Sequence, residues 1–268
     1  MLAGGYAGLL GLSRLGYRTV LYPAPRRGVS EAPVGAELRT FTAADGTPVQ
    51  ALVYPPPGRR SLVFFHGNGE TIGDSIGLAV ELHRRGLGFV AVEYRGYGSS
   101  PATGPSEDGL YADADAVLRT LASEGLAAAD VTLWGSSLGS GVAVEMATRG
   151  HGSRLLLSTP YTSIPRVAQR LVPVIPMGWV VGDRYDNLAK APEIDLPTLI
   201  IHGDADRLVP YDHGVTLSRA IAGARLITVA GAGHNDWLAL GGDGLVDEIV
   251  QFVTEPVDPP GDASESRH

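Results

Sequence analysis

Val131-Thr-Leu-Trp134-Gly135-Ser136-Ser137-Leu138-Gly139-Ser-Gly-Val-Ala-Val-Glu-Met-Ala-Thr148 is the stretch on which the fold turns. Its first four residues form a short, β-branched and apolar run of the length of a buried strand. From Leu138 onward the apolar residues recur three or four apart, the spacing of one helix face. Between the two halves stands Gly135-Ser136-Ser137-Leu138-Gly139, a Gly-x-Ser-x-Gly sequence at a strand-to-helix turn. Two glycines permit a turn so tight that the central residue takes a strained backbone geometry, its side chain exposed at the helix N-terminus. That residue is Ser137.

On either side the same alternation repeats. Ser61–Phe65, Gly88–Glu93, Arg154–Ser158, Thr198–His202 and Ala224–Val229 are short apolar runs. Helical spacing is found over Ile72–Arg85, Ser106–Ser123, Leu138–Thr148, Tyr211–Ile221 and Leu245–Val253. Continuous apolar strands separated by helices predict a parallel sheet covered on both faces. Ahead of them, Glu37–Ala43 and Val49–Tyr54 alternate in polarity around the turn Ala44–Thr47 and predict an antiparallel hairpin. One segment breaks the rhythm: between Pro160 and Leu196 lie Pro165, Pro173, Pro176 and Pro192, too many for a long helix. The prediction is α/β: a mostly parallel, doubly wound sheet with an N-terminal antiparallel hairpin and a short helical cap inserted over 160–196. Residues 1–34 read as an N-terminal arm, 35–254 as one domain and 255–268, rich in Pro, Gly and charge, as a disordered tail.

Composition narrows the function classes. A chain of 268 residues, 44% apolar, builds a core without disulfide or metal staples. The absence of cysteine removes disulfides, a thiol nucleophile and thiolate metal sites, and agrees with a reducing compartment. A net charge of −8, with basic residues scattered or in short pairs such as Arg59-Arg60, argues against nucleic acid as a partner. Met1–Ser13 is uncharged, but it is glycine-rich and shorter than the roughly 20 apolar residues of a membrane span. It also lacks a signal peptide's basic start and cleavage site. A packed or frayed arm on a cytoplasmic protein is the expectation. Membrane contact through residues 1–13, with the domain facing the cytoplasm, is the alternative.

In an open parallel sheet ligands bind beyond the carboxyl ends of the strands, so the residues that follow each apolar run carry the chemistry. A serine hydroxyl is a weak nucleophile that needs a base, and the base needs an orienting carboxylate. After the strand ending at His202 come Asp204 and Asp206; after the strand ending at Val229 comes His234, giving the order Ser, Asp, His. An oxyanion hole needs two N–H donors, one from the residue after the nucleophile, Leu138, and one from the loop after the first parallel strand, assigned to Asn68. His66 and His202, at the ends of buried strands, read as structural histidines, and His213 as a solvent-facing residue at a helix start. No group has compelling metal-ligand spacing, and no cofactor is expected.

Taken together, His66-Gly67-Asn68, Glu93-Tyr-Arg-Gly-Tyr-Gly98, Gly135-Ser-Ser-Leu-Gly139, Gly203-x-x-Asp206-x-x-Val-Pro210 and Gly233-His234 resemble the α/β-hydrolase superfamily over roughly Leu52 to Val253. More narrowly, the chain is similar to small-cap serine hydrolases that include depalmitoylase-like, peptidase-like and dienelactone-hydrolase-like branches. The resemblance selects Asp206, three residues after the glycine and four before the proline, as the acid beside Ser137 and His234. It implies a serine hydrolase acting on a carboxylic ester or related acyl bond of a small-molecule or acyl substrate. Thioesterase or peptidase action on the same triad, and a non-catalytic scaffold of the same fold, are the alternatives. Gly67, Tyr94, Tyr97, Tyr161 and Trp179 are the candidate pocket residues.

Overall fold

The computed structural model describes residues 2–100 and 104–256, so nearly all of the expected tail lies outside the described residues. Eight strands form one sheet in the order β1-β2-β4-β3-β5-β6-β7-β8. They are β1 (Glu37–Thr42), β2 (Pro48–Tyr54), β3 (Ser61–Phe65), β4 (Gly88–Val92), β5 (Val131–Ser136), β6 (Arg154–Ser158), β7 (Thr198–Gly203) and β8 (Arg225–Val229). β1 pairs antiparallel with β2, and β2 with β4, while every pairing from β4 to β8 is parallel. The hairpin and the parallel run stand where the residue pattern predicts them.

The central strands are buried along their whole length, and their alternate residues divide between two cores. Val63, Phe65 and Ile200 face the core packed by α3 (Glu107–Ser123), α4 (Gly139–Thr148) and α8 (Asp212–Ala220). Leu62, Phe64, Leu199 and Ile201 face the other, packed by α2 (Ile76–Arg84) and α9 (Trp237–Thr254). Period-2 side-chain alternation on a sheet with helices on both faces requires this division. The proline-rich insertion breaks into α5 (Ile164–Leu171), α6 (Met177–Val180) and α7 (Asn187–Lys190) between β6 and β7.

The N-terminal arm is helical: α1 runs over Leu2–Leu21. Leu10 and Tyr17 pack on a small cluster of Ile175, Met177, Val180 and Val181 beside the cap. Among the described residues no helix is long and apolar enough to cross a membrane.

Candidate active site

The parallel strands end along one edge of the sheet, and the loops leaving β3, β5, β7 and β8 meet there. Ser137 sits directly after β5 with φ of +48°, in the left-handed region that a serine rarely adopts. The strain is held from both sides. A Cβ on Gly135 would lie 2.3 Å from the Gly139 oxygen, and one on Gly139 would lie 2.0 Å from the Phe65 oxygen. Only glycine at both positions lets β5, the turn and α4 cross this close to β3. The Ser137 N–H donates to the Ser158 oxygen at 2.9 Å, fixing the turn against β6.

Ser137 Oγ lies 2.8 Å from His234 Nε2, and His234 Nδ1 lies 2.7 Å from Asp206 Oδ2. The Asp206 side chain is fully buried, with four donors around it. Leu208 N–H and Val209 N–H both donate to Oδ1 at 2.9 Å, and His202 Nε2 stands 3.3 Å from Oδ2, beside His234. Burial alone would raise this carboxyl group's pKa; the hydrogen bonds from His202 and His234 and the nearby charge outweigh it and hold the group below the usual carboxylate range. His202 Nε2 also meets the Val209 oxygen at 2.9 Å, so both neighbours of that nitrogen are acceptors and it carries the proton. His202 is therefore a structural histidine, as its strand position suggests, but one set against the Asp206 carboxylate. Asp204 points elsewhere, accepting from the Gly231 N–H at 2.6 Å.

The loop after β3 brings Asn68 to the same place. His66 is buried, with Nδ1 2.8 Å from the Gly67 oxygen and Nε2 3.1 Å from Glu93 Oε1. Tyr94 Oη donates to the His66 oxygen at 3.0 Å, and the Gly67 N–H donates to Glu70 Oε2 at 2.7 Å. Tyr94 and Tyr97 are fully buried against the His66 ring and line neither cavity described below. Their residue pattern suggests pocket walls; their place in the fold makes them supports of the loop. Trp179 likewise stays outside: it is 80% exposed on α6. Tyr161 does face the site, donating to the Leu138 oxygen at 3.0 Å. His213, expected at the surface, is partly buried, its Nδ1 accepting from the Thr162 N–H at 3.1 Å.

Two cavities meet at Ser137, Asn68 and Leu208. One, of about 730 Å³, is almost wholly apolar and runs between α1 and the cap past Leu138, Val167, Met177 and Val180. The other, of about 480 Å³, is more polar and is bounded by Gly67, Glu70, Asp74, His234 and Asn235. The α1 wall is what sequence reasoning missed. Its signal is present, since Leu12, Gly16 and Val20 recur every four residues, as do Ser13, Tyr17 and Leu21, but the glycines hide the amphipathic face. Among the described residues no group of three His, Asp or Glu side chains is placed to hold a metal ion.

Comparison with known proteins agrees with this architecture. The family model described as serine aminopeptidase, S33, matches residues 56–188, and that described as TAP-like protein matches residues 176–265. An uncharacterized protein of Mycobacterium tuberculosis (strain H37Rv) is 36% identical over 184 residues; the match takes in 66% of this chain and 64% of that protein's length. Alpha/beta hydrolase domain-containing protein 17B of Xenopus tropicalis is 34% identical over 203 residues, with 75% of this chain and 68% of that protein covered. Among solved structures, an esterase from Exiguobacterium antarcticum matches with a TM-score of 0.65 at 22% identity over 81% of this chain and 99% of its own. A Pyrococcus furiosus esterase matches with a TM-score of 0.72 at 15% identity over 86% and 98%. The two structures speak for the fold, and the relatives and family models for descent: the chain belongs to the α/β-hydrolase superfamily.

Proposed function

We propose that the protein is a serine hydrolase that cleaves a carboxylic ester through an acyl-enzyme. The observation that carries this reading is the relay from Ser137 Oγ to His234 Nε2 to Asp206, at 2.8 and 2.7 Å, placed where an apolar and a polar cavity join. Ser137 attacks the carbonyl carbon while His234 takes its proton. Asp206 holds the His234 tautomer and stabilises the imidazolium. The N–H groups of Asn68 and Leu138 receive the developing oxyanion. His234 then returns the proton to the leaving oxygen, the alcohol departs, and a water activated by His234 hydrolyses the acyl-enzyme.

The same geometry orients the substrate. The leaving group must lie within reach of the acid that protonates it, and His234 borders only the polar cavity. The alcohol therefore occupies that side and the acyl chain the apolar one. A free α-amino group, as an aminopeptidase substrate carries, would lie on the acyl side, where no carboxylate lines the wall. This supports ester over aminopeptide cleavage; a thioester satisfies the same arrangement.

The test is hydrolysis of p-nitrophenyl esters and the matching thioesters, beside labelling by a fluorophosphonate. Ser137→Ala is expected to abolish labelling and to lower the rate by about 10⁴-fold or more, as for a triad acting as a unit. Turnover in that variant comparable to the parent's would refute the assignment.

A further inference from the structure

α1 enters the catalytic region end-on. At its C-terminus the Asn68 amide donates to the Leu21 oxygen at 3.3 Å, and Asn68 borders both cavities at Ser137. From there Leu21, Val20, Tyr17, Gly16, Ser13 and Leu12 line the apolar cavity in succession, Leu12 being the last of the described α1 residues along it. The helix is fastened near its inner end. Arg18 Nε and Nη2 donate to Asp183 Oδ2 and Oδ1 at 2.9 and 3.0 Å, Tyr17 Oη accepts from the Asp183 N–H at 3.2 Å, and Tyr22 Oη meets Tyr185 Oη at 2.9 Å. Arg14 adds a hydrogen bond to the Trp179 oxygen.

From these contacts we infer that α1 is a ruler for the acyl chain, selecting medium-chain acyl groups of about ten to twelve carbons. The length follows from geometry. Leu21 to Leu12 is nine residues, about 13 Å at 1.5 Å per residue. An extended chain advances about 1.2 Å per bond, so about eleven bonds reach from the catalytic end to Leu12. Within the cavity each methylene exchanges water for apolar wall, worth about fourfold in kcat/KM. Past Leu12 no described residue of α1 lines the cavity, and that gain stops. Gly16 lies five residues from Leu21, about 7.5 Å or roughly six bonds along. A Cβ there would meet nothing within 4 Å, so a larger side chain enters the cavity without displacing a neighbour. Arg18 does not line the cavity; it is a positioning residue that keeps the wall in place.

The inference rests on the ester reading above, and the experiment separates the two. The parent, Gly16→Phe, Ser13→Phe and Arg18→Met are assayed on p-nitrophenyl esters from two to sixteen carbons. Binding of 11-(dansylamino)undecanoate to the Ser137→Ala protein, alone and with Gly16→Phe, reads the cavity without catalysis. The parent is expected to peak at about ten to twelve carbons, Gly16→Phe at about six and Ser13→Phe at about ten. In Arg18→Met the ten-to-four-carbon ratio of kcat/KM should fall by about tenfold, the worth of less than two methylenes. The probe should bind the Ser137→Ala protein and lose at least about tenfold in affinity with Gly16→Phe. A parent optimum at two to four carbons, a chain-length profile that Gly16→Phe leaves in place, or no probe binding would overturn the ruler. Probe binding that Gly16→Phe abolishes, in a protein without esterase activity, would uphold the ruler and reject the ester reading instead.

Discussion

At His213 the chemistry of a single ring bears on the stability of the whole cap. Its Nδ1 accepts from the Thr162 N–H, and Thr162 Oγ1 lies 2.9 Å from the same nitrogen, tying α8 to the start of the insertion. Burial lowers its pKa first; the charges of His202, Arg166 and Arg170 lower it further, and Asp212 only partly offsets them. The ring is therefore harder to protonate folded than unfolded, where histidine titrates near about 6.5. Below that pH the unfolded chain binds the extra proton, so stability falls as pH falls and is complete above it. Urea unfolding from pH 7.5 to 5 should show this decline, and His213→Asn, whose amide oxygen can replace Nδ1 as acceptor, should flatten it. An equal decline in both proteins would remove His213 as its source. Asp206 shares the preference for the deprotonated form: its four donors require the carboxylate, which is formed across that whole range.

At the scale of elements, the site depends on how closely β3, β5 and α4 approach one another. Gly139 touches the Phe65 carbonyl that leads into the Asn68 loop, so one methyl there must push strand and helix apart. Gly139→Ala is expected to destabilise the fold by about 2–3 kcal/mol, the cost of overpacking against backbone, and to lower activity with it. Gly69→Ala, in the neighbouring loop, meets nothing within 4 Å and serves as the neutral comparison. Denaturant unfolding of the two variants checks the contrast; equal midpoints would show that the turn relaxes at no cost. Elements also explain why Tyr94 and Tyr97 moved from pocket to scaffold. A residue just past a strand can turn toward the ligand or back under the loop, and the hydrogen bond from Tyr94 Oη to the His66 oxygen fixes the second choice.

At the scale of the molecule, one buried ion pair joins parts far apart in the chain. Arg95, after β4, donates to Asp113 on α3 at 2.6 Å and to Asp45 in the β1–β2 turn at 2.7 Å, with Asp113 fully buried. The N-terminal hairpin is thus pinned to the centre of the sheet. Asp113→Ala leaves the guanidinium buried with Asp45 alone and should cost about 3 kcal/mol, the low end for a broken buried pair. A fall in the urea midpoint at unchanged slope would show this, and an unchanged midpoint would refute it.

By itself the sequence determined the sheet, the hairpin, the broken cap and the order of Ser137, Asp206 and His234. These follow from hydrophobic period, proline and turn chemistry, all local to a few residues. Only the tertiary structure decided that His202 shares the Asp206 carboxylate, that Tyr94 and Tyr97 lie under the loop, and that α1 walls the apolar cavity. The last two are contacts between segments remote in the chain, such as Arg18 with Asp183, and local spacing carries no record of which distant surface a side chain will meet; His202 and Asp206 stand only four residues apart, but the strand-end turn that brings their side chains together carries no periodicity to read. The α1 face shows this most plainly: its four-residue recurrence is written in the sequence, but a Gly16 that leaves room for an acyl chain and a glycine that merely weakens a helix are the same letter until the opposite wall is in place.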